Sequence, residues 1–290
     1  MKVYIDGNFY EEEKAKISVF DHGLLYGDGV FEGIRAYNGR IFRLKEHIDR
    51  LYDSAKAIML NIKQSREEMA EIVVKTCREN DLKDGYIRQV ITRGAGTLGL
   101  SPDRCPTPSV IVIASSLQLY PQEFYENGLK IVTASTRRVS PAALNPAVKS
   151  LNYLNNVMAK IEGSLAGVHE VLMLNEAGYV AECSGDNVFV IKNGKMYTPP
   201  VYAGALGGIT RLVIFEIAEK LNLSLAEVPL SRYDIFVADE MFLTGTGAEI
   251  IPVVNVDGRE IGNGKVGQCT RKVMTEYHDL TMNTGTSVFE

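Results

Sequence analysis

Three tight turns, at Glu176-Ala177-Gly178, Asn193-Gly194 and Asp257-Gly258, cut the second half of this chain into short runs. Asn-Gly and Asp-Gly accept the positive backbone angles of a two-residue hairpin turn, so the runs between them read as strands. A helix from Ile209 to Leu221 and another near Val266 to Tyr277 break the succession. Strands outnumber helices here, and this half reads as a barrel-like sheet with helices outside.

The first half has a different rhythm. From Leu44 the apolar positions Ile48, Leu51, Ala55, Ile58, Met59 and Ile62 keep helical spacing, while Lys45, Asp49 and Lys56 fall elsewhere, which describes an amphipathic helix. Met69, Ile72, Val73 and Thr76 mark a second helix, and Tyr86 to Thr92 and Ser109 to Ala114 read as strands. From Ser116 to Asn127 the period is lost, Tyr120, Pro121 and Tyr125 intervene, and Asn127-Gly128 signals a turn. The division that follows is a small α/β domain over 1–118, a linker over 119–128 and a larger domain over 129–290, an α+β chain overall. Beyond the linker Leu129 to Ala134 reads as a strand. Leu151, Leu154, Met158, Ile161 and Leu165 then form one face of a helix that starts just after Lys149.

Composition narrows the function classes. With 290 residues, 46% apolar and 23% charged, the chain can bury a substantial core as an ordinary globular enzyme does. The net charge of -5 comes from interspersed acids and bases without a basic run, which disfavours nucleic acid. Cys77, Cys105, Cys183 and Cys269 lie far apart with no Cys-x-x-Cys, so neither a metal site nor a disulfide framework is implied. No apolar run approaches the ~20 residues of a membrane span, and the expected location is the cytoplasm.

Two residues carry a chemical signal. Lys149 stands among small and apolar neighbours in Asn145-Pro146-Ala147-Val148-Lys149-Ser150-Leu151, and Glu182 follows inside Ala181-Glu182-Cys183-Ser184-Gly185. An amine in a poorly hydrated pocket gives up its proton more readily and can add to a carbonyl, as an aldehyde cofactor requires. Taken alone, Lys149 is equally a solvated side chain and Glu182 a surface carboxylate.

Seven strings decide between these readings. Val19-Phe20-Asp21-His22-Gly23 with Tyr26-Gly27-Asp28-Gly29-Val30-Phe31-Glu32-Gly33-Ile34-Arg35, then Glu46-His47-Ile48-Asp49-Arg50-Leu51 and Tyr86-Ile87-Arg88, precede the lysine and glutamate segments. Gly208-Ile209-Thr210-Arg211 and Thr244-Gly245-Thr246-Gly247-Ala248-Glu249 follow them. In this order the chain resembles the fold-type IV pyridoxal-phosphate enzymes, most closely the branched-chain amino acid aminotransferases. The resemblance implies the D-amino acid aminotransferase-like fold, a small α/β domain and a larger pseudo-barrel domain carrying the Schiff-base lysine, with pyridoxal 5'-phosphate between them.

The same resemblance assigns roles. Lys149 is the catalytic amine, Glu182 faces the pyridine nitrogen, and Arg50, Gly208, Ile209, Thr210 and Thr246 hold the phosphate, a helix start being a natural anion site. Tyr153, four residues past Lys149, shares its face if the helix has begun, and its phenol can hold the cofactor's O3'; a core aromatic is the alternative. Tyr26, Phe31, Gly33 and Tyr86 wall the substrate pocket, Thr246, Gly247 and Ala248 offer backbone donors to the substrate carboxylate, and Arg35 and Arg88 lie nearby. The pleat puts Tyr86 and Arg88 on one face of their strand. His22 and His47 read as packing residues.

The implied activity is transamination of leucine, isoleucine and valine, as L-amino acids, with 2-oxoglutarate in two half-reactions, by a homodimer or larger homo-oligomer. D-amino acid aminotransferases and aminodeoxychorismate lyases share the fold. After Thr92-Arg93-Gly94 the chain reads Ala95-Gly96-Thr97-Leu98, without the Arg-x-His associated with D-specificity, and Tyr86-Ile87-Arg88 and Asn152-Tyr153-Leu154 fit the branched-chain group better than the lyase. Gly247 departs from the alanine expected there, which leaves side-chain preference less fixed than reaction type. A non-catalytic binding protein would have little need of the lysine and the acid together.

Overall fold

A computed structural model describes residues 1–116 and 120–289. Its chain falls into two compact units, one of 1–118, 148–152 and 281–290, the other of 119–147 and 153–280.

Unit 1 runs β1 (Lys2–Ile5), β2 (Asn8–Glu11), α1 (His22–Tyr26), β3 (Gly29–Tyr37), β4 (Arg40–Ile41), α2 (Leu44–Ala57), α3 (Arg66–Glu79), β5 (Gly85–Thr92) and β6 (Ser109–Ser115). Among the described residues its sheet is ordered Thr286–Ser287, β4, β3, β5, β6, β1, β2, with antiparallel pairs throughout. Alternation decides what each face does. Val30, Ile34, Ile87, Ile91, Val110 and Val112 point to one side, where Leu44, Ile48 and Leu51 of α2 and Met69 and Val73 of α3 close the core. Phe31, Gly33, Arg35, Tyr86 and Arg88 therefore stand on the face away from these helices. Ser65 caps α3 in a capping box with Glu68. The first helix ends at Ala57, short of the expected spacing, because Met59 takes a φ of 54° and turns outward while Ile58 and Ile62 still pack.

The structure corrects the domain division at three places. Residues 148–152 belong to unit 1, because β4 covers only the far end of one β3 edge and the near end needs partners. The Phe31 N–H donates to the Lys149 carbonyl (3.0 Å) and the Leu151 N–H to the Gly29 carbonyl (2.9 Å). Residues 281–290 also belong to unit 1, where Thr286–Ser287 pairs with β4 and Val288 is fully buried. The expected linker, whose first residue lies outside the described ones, carries a helix, α4 (Gln122–Asn127), and belongs to unit 2 because Tyr120 is buried in that core with Phe124 and Tyr125 against it.

Unit 2 continues with β7 (Leu129–Thr133), α5 (Leu154–Leu165), β8 (Val171–Leu174), β9 (Val180–Cys183), β10 (Asn187–Lys192), β11 (Lys195–Thr198), α6 (Ile209–Lys220), β12 (Leu225–Glu227), α7 (Arg232–Phe236), β13 (Glu240–Gly245), β14 (Glu249–Val256), β15 (Arg259–Glu260) and α8 (Gln268–Asn283). The sheet order is β12-β11-β10-β13-β14-β7-β8-β9, with β15 beside β14. β9, last in that order, also packs beside β10, which follows it after a turn where the Cys183 N–H donates to the Asp186 carbonyl (2.7 Å), in keeping with the expected pseudo-barrel. β8 and β9 are buried on both faces, and apart from Glu182 their residues are apolar. The turns at Asn193-Gly194 and Asp257-Gly258 form as read, each with two positive φ angles.

α5 turns its expected apolar face outward. Leu154, Met158, Ile161 and Leu165 are exposed, while Asn156, Ala159 and Gly163 face the interior and let the helix lie close to β8. A Cβ added at Gly163 would come within 2.6 Å of Val171 Cγ1. In an open helix Gly→Ala gains up to about 1 kcal/mol, but overpacking a tight contact costs about 1–3 kcal/mol, and here the clash is with a fully buried neighbour. Gly163→Ala is therefore expected to destabilise the chain, read as a lowered urea midpoint; an unchanged or raised midpoint would refute this packing argument.

Candidate active site

Unit 1 places an amine, an aromatic face and two arginines on and beside β3. Lys149 is held by its main chain from two sides, its N–H donating to Ser54 Oγ of α2 (3.1 Å) and its carbonyl accepting from Phe31. Its Nζ lies 4.7 Å from the centroid of the Phe31 ring. The lysine thus sits on a strand edge and not at a helix start. α5 begins only at Leu154, with Tyr153 as its N-cap residue, so the helix has not begun between Lys149 and Tyr153 and the condition for their sharing a helical face is not met.

On the open sheet face the period-two reading is correct: Tyr86 and Arg88 point the same way. Arg88 Cζ lies 4.3 Å from the Phe31 ring centroid and 5.9 Å from that of Tyr86. Gly33 is opposite Arg88, and a Cβ there would fall 2.0 Å from the Tyr86 hydroxyl oxygen. Only glycine lets that phenol lie across the strand. Arg35 stacks over the Tyr37 ring at 5.0 Å. Tyr26 belongs to a neighbouring feature: its hydroxyl accepts from the Gly99 N–H (3.1 Å), and its ring meets the buried His22 edge-on at 4.9 Å.

Arg50 turns to a buried partner on β3. Glu46 bonds Arg43 (2.9 Å) and Asp49 bonds Lys45 (2.6 Å), while Arg50 Nε and Nη2 each donate at 2.7 Å to the two oxygens of Glu32. Glu32 is fully buried on the helix side of β3, and its Oε2 also accepts from His47 Nδ1 (2.7 Å). Burial alone would raise the Glu32 pKa, but the Arg50 charge and the His47 and Arg50 hydrogen bonds outweigh it and bring the carboxyl down to about 2. His47 moves down as well, first through burial and then through the Arg50 and Lys149 charges, against the pull of Glu32. The imidazole is therefore neutral at pH 7 and donates a plain hydrogen bond. Arg50 is the counter-ion.

Unit 2 presents an acid and a helix start. Glu182 on β9 is buried; its Oε1 pairs with Arg138 Nη2 (2.7 Å), and its Oε2 accepts from the Leu206 N–H (2.9 Å) and from Asn187 Nδ2 (3.2 Å). Gly208 is the N-cap of α6 without a side-chain cap, and a Cβ there would meet Asn187 Oδ1 at 2.1 Å. Ile209 and Thr210 form the first turn, both buried. Arg211 fixes that turn, reaching the Pro199 carbonyl and Glu227. Thr244, paired across the sheet with Asn187, buries a hydroxyl that has no partner among the described residues. Thr246 and Gly247 lie half-buried, and Ala248 fully buried, in the turn from β13 to β14.

The structure adds Glu32, His47, Ser54, Arg138, Asn156 and Asn187 to the residues that build these two sites. Glu32 alone has a usable sequence signal, since it takes an inward position between Val30 and Ile34 on a strand that is otherwise apolar there. His47, a packing residue by its sequence context, instead bonds an ion.

A family model described as amino-transferase class IV matches residues 29–256. The chain is 51% identical over 290 residues, all of both sequences, to the putative branched-chain-amino-acid aminotransferase of Methanocaldococcus jannaschii. It is similar in structure, with a TM-score of 0.95 at 35% identity, to the branched-chain amino acid aminotransferase of Escherichia coli, covering 98% of this chain and 95% of that one. The branched-chain amino acid aminotransferase of Thermobaculum terrenum, solved in its PLP-bound holo-form, gives a TM-score of 0.87 at 28% identity, covering 97% and 94%.

The Glu32 cluster yields a measurable pH dependence. Its folded pKa of about 2 lies below the ordinary ~4.3, so its stabilisation is complete above the ordinary value and is lost as pH falls toward 2. Glu32→Gln takes the anion from a buried pair and is expected to cost about 3 kcal/mol at pH 7 by urea unfolding. The gap to the wild type should narrow as pH drops from about 4.5 toward 2. Equal stabilities at pH 7 would rule this out.

Proposed function

This chain belongs to the class IV aminotransferase family, and from that premise we propose that it transaminates branched-chain L-amino acids with 2-oxoglutarate, giving 2-oxo acids and glutamate. Pyridoxal 5'-phosphate is its cofactor. Each unit holds residues of the chemistry that group needs: in unit 2 a buried anion on β9, a helix start with glycine at its cap and, at Thr244, a buried hydroxyl without a partner among the described residues, and in unit 1 the Arg50 guanidinium on α2, oriented by Glu32. When bound, the cofactor supplies an aldehyde carbon that carries the amino group and a ring that takes up electrons released at the substrate Cα.

The protein's own groups do the rest. Lys149 Nζ would hold the cofactor's aldehyde carbon, and the same amine would move the proton from the substrate Cα as base and then acid. Glu182 would face the ring nitrogen and favour its protonated form. Arg50, Gly208, Ile209, Thr210 and Thr246 would hold the phosphate, and Tyr153 the phenolate oxygen. Tyr26, Phe31, Gly33 and Tyr86 would wall the substrate, while Arg35, Arg88 and the backbone of Thr246, Gly247 and Ala248 would receive its carboxylates. The observation that carries this reading is the placement of Lys149 Nζ over Phe31, whose ring also meets Arg88.

The assembly proposed is at least a homodimer in the cytoplasm. Exposed Phe20, Leu24, Leu98 and Leu100 in unit 1 support association, and no helix among the described residues is long and apolar enough to cross a membrane.

A donor panel with 2-oxoglutarate, using both enantiomers of leucine and alanine and reading glutamate formed, tests the substrate. L-leucine should be turned over well; robust use of D-alanine without L-leucine would overturn the assignment. Lys149→Ala should lose the visible absorption band and borohydride trapping at residue 149, and at least about a hundredfold in rate. A variant transaminating L-leucine at the wild-type rate would remove the lysine from the mechanism.

A further inference from the structure

A closed circuit of buried polar groups stands behind Glu182 in unit 2. Arg138, in the stretch after β7, donates from Nη2 to Glu182 Oε1 (2.7 Å), from Nη1 to Asn156 Oδ1 (2.8 Å) and from Nε to the Gly204 carbonyl (3.1 Å). Asn156 of α5 completes the loop, its Nδ2 donating to the carbonyl of Ser184 (2.7 Å), two residues beyond Glu182. The guanidinium is thereby fixed at three points, and the carboxylate cannot rotate without breaking its bonds to Arg138, Leu206 or Asn187. Such a fork gives a planar acid both an orientation and a counter-charge, which a lysine would supply only in part.

The surrounding charges show why a cation is needed there. β8, paired with β9, brings apolar side chains, and the 201–206 segment brings backbone, small apolar groups and the exposed Tyr202. At the turn beyond β9, the Glu170 and Asp186 charges act together with that of Glu182 on the buried Cys183 thiol, which burial pushes well above its ordinary pKa and these carboxylates push further. Glu170 is bound by the Ser184 N–H (3.0 Å) and hydroxyl (2.5 Å) and by the half-exposed Lys160 (3.3 Å). Of these acids, Glu182 is held by an arginine, through Arg138 Nη2 at 2.7 Å.

We infer that Arg138 is the positioning residue of the acid, holding Glu182 as an oriented anion throughout the working pH range. The purpose of that anion rests on the function proposed above; its measurement does not.

The test uses the cofactor-free full chain labelled with carboxyl-13C glutamate, the Glu182 signal being assigned with Glu182→Gln. Arg138→Gln should raise the titration midpoint of Glu182 by about one to three pH units, and Arg138→Lys by less. In the loaded protein Arg138→Lys should retain more of the turnover than Arg138→Gln. Circular dichroism checks folding, and where the glutamine variant fails to fold, the lysine variant decides by the same shift. A folded variant with a lowered melting temperature but an unmoved Glu182 midpoint would make Arg138 merely structural and overturn the inference. A wild-type chain that takes up no pyridoxal phosphate would instead defeat the functional reading and leave this titration standing.

Discussion

An open strand edge governs the placement of Lys149. β4 pairs with only the last residues of β3, and the opposite end of that edge would expose main-chain donors and acceptors if nothing came to meet it. Residues 149–151 do so, through the Phe31 and Leu151 amides. The consequence is geometric. A side chain on a loop would sample many positions, whereas Lys149 departs from a main chain bonded to β3 on one side and to Ser54 of α2 on the other.

Each unit also buries one carboxylate against one arginine, Glu32 with Arg50 and Glu182 with Arg138. Such pairs are seldom the strongest way to fill a core, because removing both charges from water costs several kcal/mol that their attraction only partly returns. Their common value is direction. Arg50 is turned by Glu32 and His47, and Glu182 by Arg138, Asn187 and the Leu206 amide, so that in each pair the member proposed to meet the cofactor has its orientation set by the other. The desolvation cost is concentrated where orientation matters most.

Much of this is legible in the chain, and the failures share a cause. Period-two spacing puts Tyr86 and Arg88 on one face, helical spacing locates α2 and α3, and Asn-Gly and Asp-Gly locate their turns; all of these depend on near neighbours. Arg138 sits in an aperiodic stretch and finds its meaning in Asn156, Glu182 and Gly204, none adjacent to it in sequence. Lys149 resembles a helix start because the apolar spacing begins at Leu151, yet the open edge of β3 takes that residue instead. On α5 the spacing of Leu154, Met158, Ile161 and Leu165 identifies a face but not its destination. The small side of the helix is the one that fits against β8, since Gly163 allows an approach that a leucine would prevent.

The arrangement of Arg88 answers a demand that the proposed reaction makes on one pocket. A branched side chain needs an apolar wall, and the carboxylate of 2-oxoglutarate needs a cation in the same space. An arginine left in water would be heavily hydrated. Over Phe31 and Tyr86 the guanidinium is held by ring faces, which attract a cation by roughly 0.5–2 kcal/mol without cancelling its charge. The rings remain an apolar surface beside it. Gly33 is part of the same solution, because the phenol of Tyr86 can lie across β3 only where no Cβ projects. On the proposed reaction, this one sheet face would offer hydrocarbon to one substrate and positive charge to the other.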